Sequence, residues 1–219
     1  MAQALIFDVG GVLAHDVWEN LLLDKKKGVA SKFNLDVKEV RKVAKSLWAE
    51  YAHRPLNIKD DWEVLEREYW DSFIRHFQLS EPADYFINLT EKFIRPVPGM
   101  LELLERLHSR GVRLAICSNN TEFWFNRQTH KLNLGRFFQP GNIILSSRVG
   151  ASKSSPDYEM FKTVISALNM DKSDCIFVDD RQETVTHGVE FGITGIIFPS
   201  HSEQGALYLE ALLRRMNVL

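Results

Sequence analysis

The chain has 219 residues, 45% of them hydrophobic, a formal net charge of -2 and two cysteines. That length can bury one sizeable core, or a core with a small accessory unit. Balanced charge excludes the basic footprint of a nucleic-acid or anionic-membrane binder, and no apolar stretch is long enough to span a bilayer.

Short basic runs such as Lys25-Lys26-Lys27 read as solvated helix surface. Cys117 and Cys175 both lie inside apolar runs and read as buried free thiols, which suits a reducing compartment. Met1-Ala2-Gln3 leads straight into the first apolar run without a signal-peptide pattern, so a cytoplasmic location is expected.

The first element is Ala4-Leu5-Ile6-Phe7, an apolar run that stops at Asp8 and is followed by Gly10-Gly11-Val12-Leu13. Such a run predicts a strand buried on both faces of a parallel sheet, and ligands of such sheets bind beyond the carboxyl ends of the strands. A helical region follows, over about 16–95. Asp36 with Glu39 three residues on resembles a capping box, and Val37, Val40, Val43, Ala44, Leu47, Trp48 and Tyr51 form the apolar face behind it. Asp60 with Glu63 reads as another helix start, with a stripe of Trp62, Leu65, Tyr69, Trp70, Phe73 and Phe77. A shorter helix carries Tyr85, Phe86, Leu89 and Phe93. Each has one apolar face to bury, so a bundle is expected, with Trp18, Trp48, Trp62 and Trp70 in its core. Pro96-Val97-Pro98-Gly99 ends the helical pattern.

From Met100 onward helix and strand alternate. A helix over 100–108 stops at Gly111, and a strand over 112–117 runs into Ser118-Asn119-Asn120. A helix over 121–134 follows, with Phe123 and Trp124 packing against the sheet, then a short strand over 143–145 and a helix over 156–168. Cys175-Ile176-Phe177-Val178 is a strand that runs into Asp179-Asp180. A helix through Val185 and Val189, a strand over 195–198 and a helix over 207–216 complete the chain. This alternation predicts an α/β fold with a doubly wound, Rossmann-like parallel sheet. The expected division is a core of 1–15 and 96–219 with an all-helical unit of 16–95 inserted.

Three strands thus deliver Asp8, Ser118 and the pair Asp179-Asp180 to one edge. A carboxylate such as Asp8 can act as a nucleophile on phosphorus. Its charge repels a phosphate monoester, so a cation must lie between them. Asp8, Asp179 and Asp180 offer the hard oxygens that Mg²⁺ prefers. Lys153 adds positive charge, Ser118 a hydroxyl donor, and the Gly10-Gly11 turn backbone amides.

The segments Phe7-Asp8-Val9-Gly10-Gly11-Val12-Leu13, Ser118, Gly150-Ala151-Ser152-Lys153 and Phe177-Val178-Asp179-Asp180, in that order, resemble the four motifs of the haloacid dehalogenase superfamily. The resemblance implies that 16–95 is a helical cap over an active site. It implies Asp8 as nucleophile and metal ligand, and Ser118 and Lys153 as the other catalytic residues, binding the transferring phosphoryl group. The Gly10 carbonyl and Asp180 would complete the Mg²⁺ ligands, with Asp179 ligating or holding a metal-bound water. The substrate-binding set is then Gly10, Gly11, Ser118, Asn119 and Lys153. The implied activity is Mg²⁺-dependent hydrolysis of a small phosphorylated metabolite through an aspartyl phosphate.

Gly10 is the main departure, because most phosphatases of the family carry there a second Asp that protonates the leaving group and activates water. A Gly at this position resembles the subgroup of sugar-phosphate phosphatases and of the N-terminal phosphatase unit of epoxide hydrolases. Three explanations stay open: a weaker phosphatase, a replacement acid with His15 and Asp16 nearest, or a catalytically silent binding or regulatory protein. A dehalogenase needs no metal and leaves Asp179-Asp180 beside Lys153 without a purpose; the Gly10-Gly11 turn also differs from the Tyr-containing segment of dehalogenases. Ser154 in place of the family's Pro, and Thr184 where Asn is common, are expected to adjust loop geometry only.

Overall fold

Five short apolar runs make the sheet that everything else packs on. The computed structural model describes residues 3–52 and 61–219. Strands β1 (Ala4–Phe7), β2 (Arg113–Ser118), β3 (Ile143–Leu145), β4 (Cys175–Asp179) and β5 (Thr194–Ile197) are all parallel, in the order β3-β2-β1-β4-β5. The winding reverses at β1, which puts a crevice beyond its carboxyl end. Phe7 pairs with Ile116 on one side and Val178 on the other, so Asp8 and Asp179 leave the sheet at the same level.

Side chains alternate between two buried faces, which is why these strands read as continuous apolar runs. Leu5, Phe7, Leu114, Ile116, Ile176 and Val178 join one core cluster. Ala4, Ile6, Ala115, Cys117, Cys175 and Phe177 join the other. Both cysteines are free and fully buried, and burial pushes their thiols up to about 12 for Cys117 and about 11 for Cys175.

Helices α1 (Val17–Leu23), α2 (Val29–Lys32), α3 (Val37–Ala52), α4 (Trp62–Phe77) and α5 (Ala83–Phe93) all fall between β1 and β2. The chain enters and leaves this segment through one paired connection. Ala14 bridges Pro96, His15 N–H donates to the Arg95 carbonyl at 3.0 Å, and Val97 N–H donates to that of Leu13 at 3.1 Å. Tyr69, Trp70, Phe73 and Phe86 are fully buried, and Trp70 stacks on Phe86 at 5.1 Å. The remaining helices are α6 (Met100–Ser109), α7 (Glu122–Leu132), α8 (Ser146–Val149), α9 (Glu159–Leu168), α10 (Gln182–Phe191) and α11 (Gly205–Arg215). The apolar faces of α6 and α11 join the cluster of Leu5 and Phe7, and that of α9 joins the cluster of Ile6. No helix of the described residues is long and apolar enough to cross a membrane.

Several boundaries differ from the sequence pattern. Asp36 does cap α3, accepting from Glu39 N–H at 2.8 Å, but Val37 is exposed rather than on the buried face. The cap of α4 is Asp61, which accepts from Glu63 N–H; Asp60 lies outside the described residues. The helix expected over 156–168 begins only at Glu159, because Tyr158 takes a left-handed conformation. Asn133 in the same conformation ends α7 and leaves Leu134 in a 3₁₀ turn. Val189 and Leu207 are exposed, so the buried faces of α10 and α11 rest on Val185 and on Leu209 and Leu213.

One buried ion pair fastens α4 to α7. Arg127 Nε donates to Glu66 Oε2, while Glu66 Oε1 is buried without a hydrogen bond. Burial pushes the Glu66 carboxyl up to about 7 against the charge of Arg127. The folded chain therefore holds a proton that the unfolded chain releases, and wild-type stability falls as pH rises from the ordinary 4.5 to about 7. Glu66→Gln abolishes that titration. Urea unfolding at about pH 4 and about pH 8 should show wild type losing roughly 3 kcal/mol relative to Glu66→Gln between the two; parallel pH profiles would contradict the buried-carboxyl account.

Candidate active site

Asp8 is the first residue past β1, anchored by its N–H to the Val178 carbonyl at 2.9 Å. The chain then folds back on itself. The N–H groups of Leu13 and Ala14 donate to the Val9 carbonyl at 3.0 and 2.9 Å, and Gly11 N–H to that of Ala14 at 2.8 Å. Gly11 has φ +77°, and a Cβ there would overlap the Asp180 carboxylate. Glycine at this position lets the turn and the acidic pair approach each other. Gly10 is different: its φ is not left-handed, and a Cβ on it would meet only Asp16 Oδ2, at 3.9 Å.

Lys153 lies between two carboxylates. Its Nζ is 3.0 Å from Asp8 Oδ1 and donates a short hydrogen bond to Asp179 Oδ2. The other oxygen of Asp179 accepts from Arg181 N–H at 2.8 Å. Asn119 Oδ1 accepts from Lys153 N–H at 2.9 Å and so fixes the loop that carries the lysine. Burial opposes the charge on Lys153, but Asp179 and Asp8 outweigh it and hold the ammonium above the ordinary lysine range. Burial, reinforced by the charge of Asp8, raises both Asp179 and Asp180 above the ordinary carboxylate range.

Lys153 alone does not satisfy the cluster. Oxygens of Asp8, Asp179 and Asp180 lie within 4.8 Å of one another. Asp8 Oδ1 and Asp180 Oδ1 are buried and take part in no hydrogen bond; Lys153 is close to the former but poorly aligned. Orphaned carboxylate oxygens are costly, and three acidic groups facing one lysine leave negative charge uncompensated. This donor set suits a hard divalent cation.

A cavity of about 400 Å³ opens over the cluster. Asp8 and Gly10 after β1, Asn119 after β2 and Lys153 from the loop after α8 face it. Ser118 closes β2 and is buried, and the next residues, Asn119 and Asn120, form that wall. Asn120 is braced by Gln128 at 2.9 Å and by Ser146 at 3.0 Å. Gly11, Asp179 and Asp180 lie behind the wall, against the turn and Lys153. Ser154 and Thr184 border the cavity, whereas His15 is not among the described residues that line it.

The helical segment supplies the opposite wall. Trp18 of α1 and Trp48 of α3 pack against the core cluster and Trp124 of α7 belongs to it, as expected, and all three also border the cavity. Arg41 and Lys45 of α3 join them, as does Arg181. The pattern gave one unread signal: Arg41, Lys45 and Trp48 are spaced for a single helical face, whose other members, Ala44 and Tyr51, point inward.

The two glycines of the turn should therefore respond oppositely. Gly10→Ala is expected to unfold within about 0.5 kcal/mol of wild type. Gly11→Ala should lose on the order of 1–3 kcal/mol, because it forces a side chain into a left-handed turn and against Asp180. Denaturant titration of both variants decides it, and equal effects would contradict the turn geometry.

A model of the haloacid dehalogenase-like hydrolases matches residues 2–192. Flavin mononucleotide hydrolase 1 of Arabidopsis thaliana is 32% identical over 100 residues, covering 46% of this chain and 39% of the relative. Glyceraldehyde 3-phosphate phosphatase of Pyrococcus abyssi is 26% identical over 144 residues, covering 58% and 59%. The match thus spans less than two thirds of either relative's own length. In fold, the chain is similar to a HAD family enzyme of Bacteroides thetaiotaomicron solved as a magnesium complex, with TM-score 0.69 and 17% identity, covering 94% and 98% of the two chains. The parallel sheet, its order of strands and a family match over most of the sequence agree: the chain belongs to the haloacid dehalogenase-like hydrolases.

Proposed function

We propose that this hydrolase is a Mg²⁺-dependent phosphatase of a small phosphorylated metabolite, working through a phosphoryl group held on Asp8. The carrying observation is the convergence of Asp8, Asp179 and Asp180 oxygens within 4.8 Å, with one buried Asp180 oxygen unpaired and a single lysine between Asp8 and Asp179. Mg²⁺ held by Asp8, Asp180 and the Gly10 carbonyl would screen the charge between nucleophile and phosphate and stabilise the transition state.

The chain's own residues account for the rest. The Lys153 ammonium balances the charge that builds on the phosphoryl oxygens, and Asp179 holds that ammonium in place from the far side. The Gly10 N–H and the Ser118 hydroxyl would donate to the phosphoryl group, while the Gly11 N–H is held by the Ala14 carbonyl and shapes the turn. The helical segment 16–95 serves as a cap: α1 and α3 close the cavity opposite the nucleophile and present Arg41, Lys45 and two tryptophans to the substrate. A volume of about 400 Å³ suits a small metabolite. One relative is named a flavin mononucleotide hydrolase and the other a glyceraldehyde 3-phosphate phosphatase, both for small phosphorylated molecules. The buried free thiols accord with a cytoplasmic, reducing location.

Gly10 favours one other reading, a binder of phosphate esters that does not turn them over. Screening phosphorylated metabolites with Mg²⁺ and with chelator separates the two. Turnover that needs Mg²⁺ and vanishes in Asp8→Asn is expected; Mg²⁺ and phosphate binding without any turnover would establish the silent binder.

The acidic pair should divide its labour. Asp180→Ala is expected to lose Mg²⁺ binding in calorimetric titration, because its orphaned oxygen is the one available to a cation. Asp179→Ala should bind Mg²⁺ more nearly as wild type yet turn over at least tenfold more slowly, since both its oxygens are already used to place Lys153 and the Arg181 backbone. Equal losses of Mg²⁺ binding would overturn this assignment.

A further inference from the structure

A phosphatase needs a proton for the leaving oxygen and a base for the attacking water, and the position two residues after Asp8 has no side chain to supply either. We propose that Asp16, from outside the strand-end turn, is that group. The assignment rests on the phosphatase reading above.

Position carries the inference. Asp16 caps α1, and its Oδ1 accepts from Glu19 N–H at 3.0 Å, which fixes the carboxylate plane. Its second oxygen is aimed at the cavity, 3.9 Å from where a Gly10 Cβ would stand, and so occupies space that a residue-10 side chain would enter. Arg181 Nη2 lies 3.8 Å from that oxygen, near enough to stabilise the carboxylate once a proton has left and too far to occupy it as a hydrogen bond. Surrounding protein raises the Asp16 carboxyl above its ordinary range, against the Glu19 amide and Arg181, while 32% of the side chain stays accessible.

The other carboxylates that line the cavity are committed elsewhere, Asp8 as the proposed nucleophile beside Lys153. Glu19 pairs with Arg41 at 3.2 Å. Asp179 is engaged at both oxygens, and Lys153 is held as an ammonium by two carboxylates. His15 does not line the cavity among the described residues, which separates the two replacements the sequence leaves open.

The proton balance is simple. Asp8 attacks phosphorus, the bond from phosphorus to the ester oxygen breaks, and the Asp16 carboxyl gives its proton to that oxygen, releasing the alcohol. The Asp16 carboxylate then takes a proton from water as the water oxygen attacks phosphorus. The bond from phosphorus to Asp8 breaks, phosphate leaves, and Asp16 is protonated again.

Asp16→Asn tests this, because asparagine also caps helices and keeps α1 in place; Asp16→Ser is a second capping variant, and thermal melts report the fold of both. Two substrates are compared under Mg²⁺, an alkyl phosphate that needs leaving-group protonation and para-nitrophenyl phosphate that does not. Turnover of the alkyl ester should fall about 10²–10⁴-fold. The aryl ester should give a burst of about one nitrophenolate per enzyme followed by slow turnover, because only water attack still needs the base. Adding Gly10→Asp to Asp16→Asn should recover at least tenfold. Wild-type rates in folded Asp16→Asn, or equal losses on both esters with no burst and no recovery, would overturn the assignment while leaving the phosphatase reading intact. Absence of Mg²⁺-dependent turnover by wild type on every ester would instead remove the reading on which it rests.

Discussion

Lys153 between Asp8 and Asp179 is the interaction on which the site depends. A buried ammonium is tolerated only when paired, and removing one partner of such a pair leaves a stranded charge that costs about 3–5 kcal/mol. Three separate strand-end segments must therefore converge: the turn after β1, the loop after β3 and α8, and the end of β4. The parallel register provides this, since Phe7 pairs with Val178 and the next residue of each strand is a carboxylate. The fold is thus what makes a three-carboxylate, one-lysine cluster possible, and that cluster holds more acid than its own lysine can balance.

Second in importance is the turn that follows Asp8. Gly11 is required by its backbone angle and by the Asp180 carboxylate packed against it, whereas Gly10 is constrained by neither. The missing side chain at residue 10 is therefore not a packing necessity. It leaves room that the α1 cap residue reaches from the other side. One glycine serves the fold, and the other leaves the cavity side of the turn open to Asp16, the cap of the first helix of the inserted segment.

Much of this was legible in the sequence. Apolar runs ending in Asp8, Ser118 and Asp179 placed three of the five strands, because strands buried on both faces carry no competing polar signal. Alternation after Met100 placed the remaining elements to within a few residues. What failed was local or long-range. The late start of α9 depends on a left-handed Tyr158, which no propensity predicts. Trp18, Trp48 and Trp124 do pack with the core, but that each also borders the cavity was not legible, because tryptophan burial looks the same from the sequence whether the neighbour is a helix or a ligand cavity. The hydrogen bonds to Lys153 and to the Arg181 N–H that set Asp179 apart from Asp180 are a property of tertiary geometry that no local pattern encodes.

The central claim is that Asp8 carries the phosphoryl group during turnover. Acid quenching of the enzyme during Mg²⁺-supported hydrolysis of a phosphate ester, followed by peptide mass spectrometry, tests it most directly. The account predicts a phosphoryl group on the peptide that holds Asp8, removed by hydroxylamine as an acyl phosphate is. Sustained turnover with no labelled Asp8, or with the label on another residue, would contradict it.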